Sequence, residues 1–321
     1  CKPVPEFTIK KYTIKLPLKI ESPSRIITTL KSFGEWVMRN RSAPAKKDIS
    51  IATLCRIQKL FSSKGWPQNG DLDECYFDRF CNLMRNLSEE QQEMLFTLSE
   101  EFLWVQETEY IRYFVRSFDL LIKKIGTDTR KTIVLIPLLP PEDFGKAKSS
   151  VVLFYFIKGN IVHLQKKYSA QNITLLECPA QFNPHDFSED SLCCLVDDFV
   201  GSGETASSAI SFFLENGISK CNMFIIALVS MQQGMDFLRQ DGVQVFSSVV
   251  MRKAISDRTD GKDASFRPLM ESLEAAIKVR SEYTFGYAHS EGLVKMIRTP
   301  NNTFPIFWMK NKKNQSPPFP R

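Results

Sequence analysis

From about residue 24 to residue 125, apolar positions recur three and four apart with polar residues between them, the period of helices that bury one face. Stop signals separate the runs, so this half is expected to be mostly helical. Ser24 would cap a helix reaching Arg39. Asp48 would cap another that carries Ile51, Leu54, Ile57 and Leu60 on one face until Gly65, Trp66 and Pro67 end it. A third run covers residues 72–83. Ser88 with Gln91 three positions on is a capping box, opening a segment whose Leu95, Leu98, Phe102 and Leu103 form a stripe; residues 110–124 continue in the same period. Such stripes are the ordinary mark of a helical core, although short helices within 49–81 also meet the minimum requirement of a helix-turn-helix.

Around Gly126, Thr127, Asp128 and Thr129 the period changes. Short β-branched runs at 132–137, 174–177, 192–196, 223–228 and 243–249 then alternate with helical segments near 149–159, 205–215 and 233–240. Strands separated by helices of this length indicate βαβ units, hence a parallel sheet covered on both faces. The expected division is a helical domain over 1–128 and an α/β domain over 129–321. The last stretch, with Lys310, Lys312, Lys313 and several prolines, reads as a solvated tail.

Composition adds limits. At 321 residues, 43% hydrophobic and 24% charged, the chain suits about two globular domains and excludes a disordered, collagen-like or coiled-coil protein. A formal charge of +6 helps attract phosphorylated ligands without making a nucleic-acid binder. The longest apolar runs, 133–139, 151–157 and 223–229, are far short of a bilayer span, so no membrane segment is expected. Eight cysteines include no CxxC pair; Cys193, Cys194 and Cys221 lie in apolar stretches and read as buried, reduced thiols of a cytoplasmic protein. Cys75 and Cys81 match no zinc spacing, and the three histidines are scattered. Nothing after Cys1 resembles a signal peptide, and reduced thiols disfavour a lipid-modified Cys1.

The sharpest signal is Leu192-Cys193-Cys194-Leu195-Val196-Asp197-Asp198-Phe199-Val200-Gly201-Ser202-Gly203-Glu204-Thr205. A buried strand brings two carboxylates to its C-terminal edge, where open parallel sheets bind ligands, and a Gly-Ser-Gly turn feeds a helix. Backbone amides at Gly201 to Gly203 and the helix N-terminus suit a phosphate monoester, with Ser202 and Thr205 hydroxyls as further donors. Asp-Asp without a lysine is a poor triphosphate cradle and a good clamp for two neighbouring hydroxyls. Together these groups describe a ribose 5-phosphate.

These residues resemble the signature of type I phosphoribosyltransferases: strand, two acidic residues, two apolar residues, then a small-Ser/Thr-Gly-x-Thr loop. The resemblance implies an α/β fold with a Rossmann-like parallel sheet, preceded here by a mostly α-helical domain. It implies that Asp197 and Asp198 hold the ribose hydroxyls of phosphoribosyl pyrophosphate and that Gly201, Ser202, Gly203, Glu204 and Thr205 bind its 5-phosphate. In that fold the loop after the strand at 132–137 holds the leaving pyrophosphate; here it carries Lys146, Lys148 and Ser149, though any solvated loop carries such lysines. Gly145-Lys146 is no Walker A, because Ala147 stands where Ser or Thr is required. Where 6-oxopurine enzymes place an acidic residue in the phosphate loop, this chain has Gly201, which disfavours hypoxanthine or guanine salvage.

Arg298-Thr299-Pro300-Asn301-Asn302-Thr303, closing on Phe307-Trp308, is foreign to the common salvage enzymes. With Asp197 to Thr205 and the helical half, it resembles the phosphoribosyltransferase-like effectors of bacterial conflict systems, including those encoded with retrons. Asn301 and Asn302 offer amides to an acceptor, or equally cap a turn over a buried Trp308. The resemblance implies a Mg²⁺-dependent transferase with Asp197, Asp198, Lys146 and Lys148 as catalytic residues, the aspartates meeting the metal through substrate or water. It further implies a toxic anti-phage effector with an unidentified acceptor, its helical half docking a protein or ribonucleoprotein partner such as a reverse transcriptase with RNA-linked DNA. Two rivals stand beside it: a non-catalytic sensor that binds phosphoribosyl pyrophosphate, and a purely structural or nucleic-acid-binding module that uses the +6 charge and residues 49–81.

Overall fold

The structure is a computed structural model that describes residues 48–68, 75–126, 130–188, 190–314 and 316–321, and the backbone of two short strands before them. Contacts divide the chain into Cys1–Asp48 and Ile49–Arg321. In the first unit, β1 (Glu6–Ile9) pairs antiparallel with β2 (Tyr12–Lys15). The helix expected over 24–39 lies outside the described residues.

The second unit opens with α1 (Ile51–Lys64). Its cap is Ser50 rather than Asp48: the Ser50 hydroxyl accepts the Thr53 N–H at 3.0 Å. Gly65, left-handed at φ 65°, ends the helix where the sequence placed its stop. Cys75 caps α2 (Tyr76–Arg85), and the Ser88–Gln91 capping box opens α3 (Glu89–Glu101). The stripe expected to run on through Phe102 and Leu103 stops there, because Phe102 turns extended and β3 (Leu103–Trp104) pairs with a short strand near the C-terminus. α4 (Tyr110–Ile125) follows.

Five parallel strands come next: β4 (Thr132–Pro137), β5 (Asn172–Leu175), β6 (Ser191–Val200), β7 (Met223–Met231) and β8 (Gln244–Met251). Their spatial order is β5-β4-β6-β7-β8, so the direction of connection reverses between β4 and β6 and leaves a crevice beyond their C-terminal ends. The helices are α5 (Ser149–Gly159), α6 (Ile161–Lys167), α7 (Glu204–Glu215) and α8 (Gln232–Gln240). The expected parallel α/β architecture is present. Several elements escape the periodicity reading, among them α6, α9 (Asp263–Ala276), whose pattern Pro268 interrupts, and β9 (Val294–Lys295), the partner of β3. α10 (Pro305–Trp308) closes the series.

Both sheet faces are covered. Tyr110, Phe114, Leu153 and Leu164 of α4 to α6 pack on the face of Cys194 and Val196. Ala206, Ile210, Phe213 and Leu238 of α7 and α8 pack on the face of Cys193 and Leu195. That double covering is why residues 192–196 read as an unbroken apolar run. A third core joins α1 to α3 with α9, α10 and the chain's last residues, through Phe61, Phe80, Phe102, Phe266, Phe307 and Phe319.

Three expectations are corrected here. α4 is a layer of the sheet itself, with the Ser117 hydroxyl donating to the Ala227 carbonyl at 2.6 Å, so no compact-unit boundary falls at 128–129. Residues 310–321 are not simply a solvated tail, since Phe319 is fully buried among aromatic rings. Cys221 is exposed, whereas Cys193 and Cys194 are buried free thiols; burial pushes Cys193 up to about 12. Among the described residues, no helix is long and apolar enough to cross a membrane.

Candidate functional site

β6 does not end at Val196 but continues to Val200, so Asp197 and Asp198 stand within the ladder near its C-terminal end. Successive strand side chains alternate between faces, which assigns Asp198 to the side of α4 and α5 and Asp197 to that of α7. The contacts agree. The Tyr110 hydroxyl at the start of α4 donates to Asp198 Oδ2 at 3.0 Å, and Ser149 at the start of α5 bonds the same carboxylate. Tyr110 Oη in turn accepts the Ile297 N–H at 2.7 Å, which fixes the direction of its own donation. Asp198 is 3% exposed. Burial, followed by the neighbouring Asp198 charge, drives Asp197 well above the usual carboxylate range, and burial also raises Asp198 despite its hydrogen bonds.

The phosphate loop follows directly. Gly203, left-handed at φ 92°, opens α7, whose first amides have no intrahelical acceptor. Glu204 N–H reaches Ser202 Oγ at 3.4 Å, and the Tyr287 hydroxyl donates to Glu204 Oε2 at 2.5 Å. The loop is tightly enclosed: a Cβ on Gly201 would stand 2.1 Å from Asn302 Oδ1, and one on Gly234 of α8 would stand 2.1 Å from the Gly201 carbonyl.

Asp197, Asp198, residues 201–205, Lys148, Ser149, Asn301 and Asn302 all line one cavity of about 600 Å³ at the crevice between β4 and β6. Lys146 does not line it. Both lysines pair with Asp143, Lys146 at 3.0 Å and Lys148 at 2.8 Å, and the two ion pairs hold that carboxyl below its ordinary range. The Asn302 amide nitrogen is engaged, donating to Tyr287 O at 3.2 Å and Ser290 Oγ at 2.8 Å. Trp308 is buried, its Nε1 donating to the Thr303 carbonyl at 2.7 Å.

Sequence reasoning missed Tyr110, Tyr287, Arg298 and Arg321, all of which touch or line the site. Tyr110 alone carried a usable signal, a phenol on the apolar stripe of a helix, because a buried tyrosine hydroxyl needs a partner. Among the described residues, no group of three or more His, Cys, Asp or Glu side chains is placed to hold a metal. The donor set at Asp197 and Asp198 fits an ion carried largely by substrate oxygens, the usual habit of Mg²⁺ at phosphate sites, rather than a protein cage.

Comparison with known proteins matches residues 79–321 to the family described as PRTase-CE. None of the curated proteins compared matches the chain. Similar solved structures include orotate phosphoribosyltransferase from Aeropyrum pernix, at 14% identity over 52% of this chain and 77% of that one, with a TM-score of 0.29. APRTase from Giardia lamblia complexed with 9-deazaadenine is another, at 15% identity over 43% of this chain and 79% of that one, with a TM-score of 0.28.

Proposed function

This chain belongs to the PRTase-CE family and is type I phosphoribosyltransferase-like, and from that premise we propose that it transfers the phosphoribosyl group of phosphoribosyl pyrophosphate to an acceptor, releasing pyrophosphate. The observation that carries the reading is the braced Asp197–Asp198 pair running straight into a glycine loop and helix N-terminus inside one cavity.

The 5-phosphate would sit on the amides of residues 201–205 and anchor the sugar away from the reacting carbon. Asp197 and Asp198 would accept from the two ribose hydroxyls, with Tyr110 and Ser149 holding Asp198 in position. As the bond from C1 to the pyrophosphate oxygen breaks, positive charge grows on the ring and the ionised carboxylate beside it offsets that charge. The electron pair leaves with pyrophosphate, towards Lys148 and the start of α5. Asp197 and Asp198 would hold a bound Mg²⁺ through substrate or water, and the chemistry such an ion would supply is partial neutralisation of the leaving group's charge.

The test is pyrophosphate release from phosphoribosyl pyrophosphate and Mg²⁺ with a nucleotide-rich extract as acceptor pool. Release that disappears in Asp198→Asn is expected; release that survives the substitution defeats the reading. The pairing of both lysines with Asp143 favours one second reading, a sensor that binds without turnover, and tight binding with no release would select it. We also propose the effector role that the family resemblance implies. It predicts that expression, alone or with candidate partners, slows cell growth only while Asp198 is intact.

A further inference from the structure

The cavity holds two cations that the transferase reading does not use. Arg298 and Arg321 both line it, and neither has a carboxylate partner among the described residues, in contrast to Lys146 and Lys148 on Asp143. The two guanidinium groups lie near enough that Arg298 helps push Arg321 below its ordinary value, after burial as the larger cause. Like charges held together cost free energy unless an anion joins them.

Their placement is built rather than incidental. Arg298 follows Ile297, whose N–H is bound to the same Tyr110 hydroxyl that donates to Asp198. It precedes Thr299, fully buried, whose hydroxyl donates to the Phe319 carbonyl at 2.7 Å. That bond ties the Arg298 segment to the one that carries Arg321. Phe319 is fully buried, and the Arg321 guanidinium stands 5.6 Å from the centre of the Trp308 ring. A pair of forked, permanently charged groups at one wall of a cavity matches the geometry of phosphate oxygens.

We propose that Arg298 and Arg321 form a second phosphate-binding subsite of this cavity, separate from the loop at 201–205. It rests on the transferase reading and has two chemical sources: the diphosphate of phosphoribosyl pyrophosphate, or a phosphate group on the acceptor. In either case the subsite takes a dianionic phosphate that the 5-phosphate loop does not hold.

Calorimetric titration of the full chain separates these. Three probes are used: ribose 5-phosphate; phosphoribosyl pyrophosphate with Mg²⁺; and inorganic phosphate added to protein saturated with ribose 5-phosphate. The comparison is between wild type and the double variant Arg298→Gln, Arg321→Gln, whose melting temperature serves as the folding control. Ribose 5-phosphate affinity is expected to change less than about twofold, while binding of at least one other probe weakens about tenfold or more, the scale of losing a charge-assisted contact. Loss of the preference for phosphoribosyl pyrophosphate over ribose 5-phosphate identifies the diphosphate as source. Loss confined to inorganic phosphate identifies the acceptor's phosphate. Survival of both overturns the subsite, as does an equal loss across all three probes; Arg298→Lys with Arg321→Lys should restore part of the binding. If the wild type binds neither sugar phosphate, the transferase reading fails and the subsite falls with it, a result distinct from failure of the subsite alone.

Discussion

Tyr110 shows how much one hydroxyl organises. It donates to Asp198 and accepts from the Ile297 N–H, joining β6 to the C-terminal wall of the cavity. Tyr110→Phe keeps the ring and its edge contact with Phe156 but strands that N–H and releases the carboxylate. The expected cost is about 1–3 kcal/mol in denaturant unfolding, together with weaker ribose 5-phosphate binding by calorimetry. The aspartate pair also sets the pH behaviour. Because burial raises both groups, the pair takes up protons above the usual carboxylate range, so pyrophosphate release should fall with decreasing pH while most surface carboxylates are still ionised. A rate-against-pH profile reads this directly. Glu274 gives a stability counterpart: its two oxygens accept the Phe285 N–H at 3.0 Å in a buried site, and burial lifts it to about 7. The folded state therefore binds the proton more tightly than the unfolded chain. This group's contribution is fully present below its unfolded value near 4.5 and is lost as pH rises through about 7. Glu274→Gln should flatten that part of the curve of melting temperature against pH, leaving the share due to Asp197 and Asp198.

At the scale of elements, the phosphate loop depends on a helix outside it. Gly234 in α8 abuts the Gly201 backbone, so the Cβ of Gly234→Ala would have to displace the loop or the helix. Ribose 5-phosphate affinity is expected to drop about tenfold or more, since close backbone approach is what the loop uses to bind. Gly159→Ala is the control: at the end of α5 its Cβ meets nothing within 4 Å, and it should leave binding unchanged. Element legibility followed the strength of local punctuation. β4 and α5 occupy the residues expected of them because Pro137 and Gly159 mark their ends. β6 overruns its expected end because the apolar run stops at Asp197 whereas the ladder continues to Val200, and β7 runs on past Leu228, through Val229 and Ser230, to Met231. Carboxylates inside a strand are the local inconsistency to expect at a ligand site. α9 was hidden by Pro268, and β3 and β9, two residues each, are too short to have a period.

At the scale of the whole molecule, the two ends of the second unit meet in one aromatic core. Phe319 packs edge-on to Trp66 at 5.3 Å, lies 4.9 Å from Phe102 and 5.6 Å from Trp104, and stacks on Phe307 at 6.1 Å. No local pattern announces this. A lone phenylalanine between prolines looks solvated until the rings contributed by the helical half are assembled around it, which is why the domain boundary and the tail were both misplaced by sequence alone. The same packing implies that the helical layer positions the cavity's C-terminal wall, because Thr299 and Arg321 are fixed through the Phe319 backbone. Phe319→Ala removes a fully buried ring and should cost about 3–5 kcal/mol, seen as a large drop in melting temperature. Phe319→Leu, milder in volume, should retain enough stability to be titrated. If the anchor sets Arg321, this variant loses part of its binding of phosphoribosyl pyrophosphate or inorganic phosphate while ribose 5-phosphate, held by the loop at 201–205, binds as before. A fall in melting temperature with all three affinities intact would show instead that the aromatic core stabilises the fold without positioning the cavity wall.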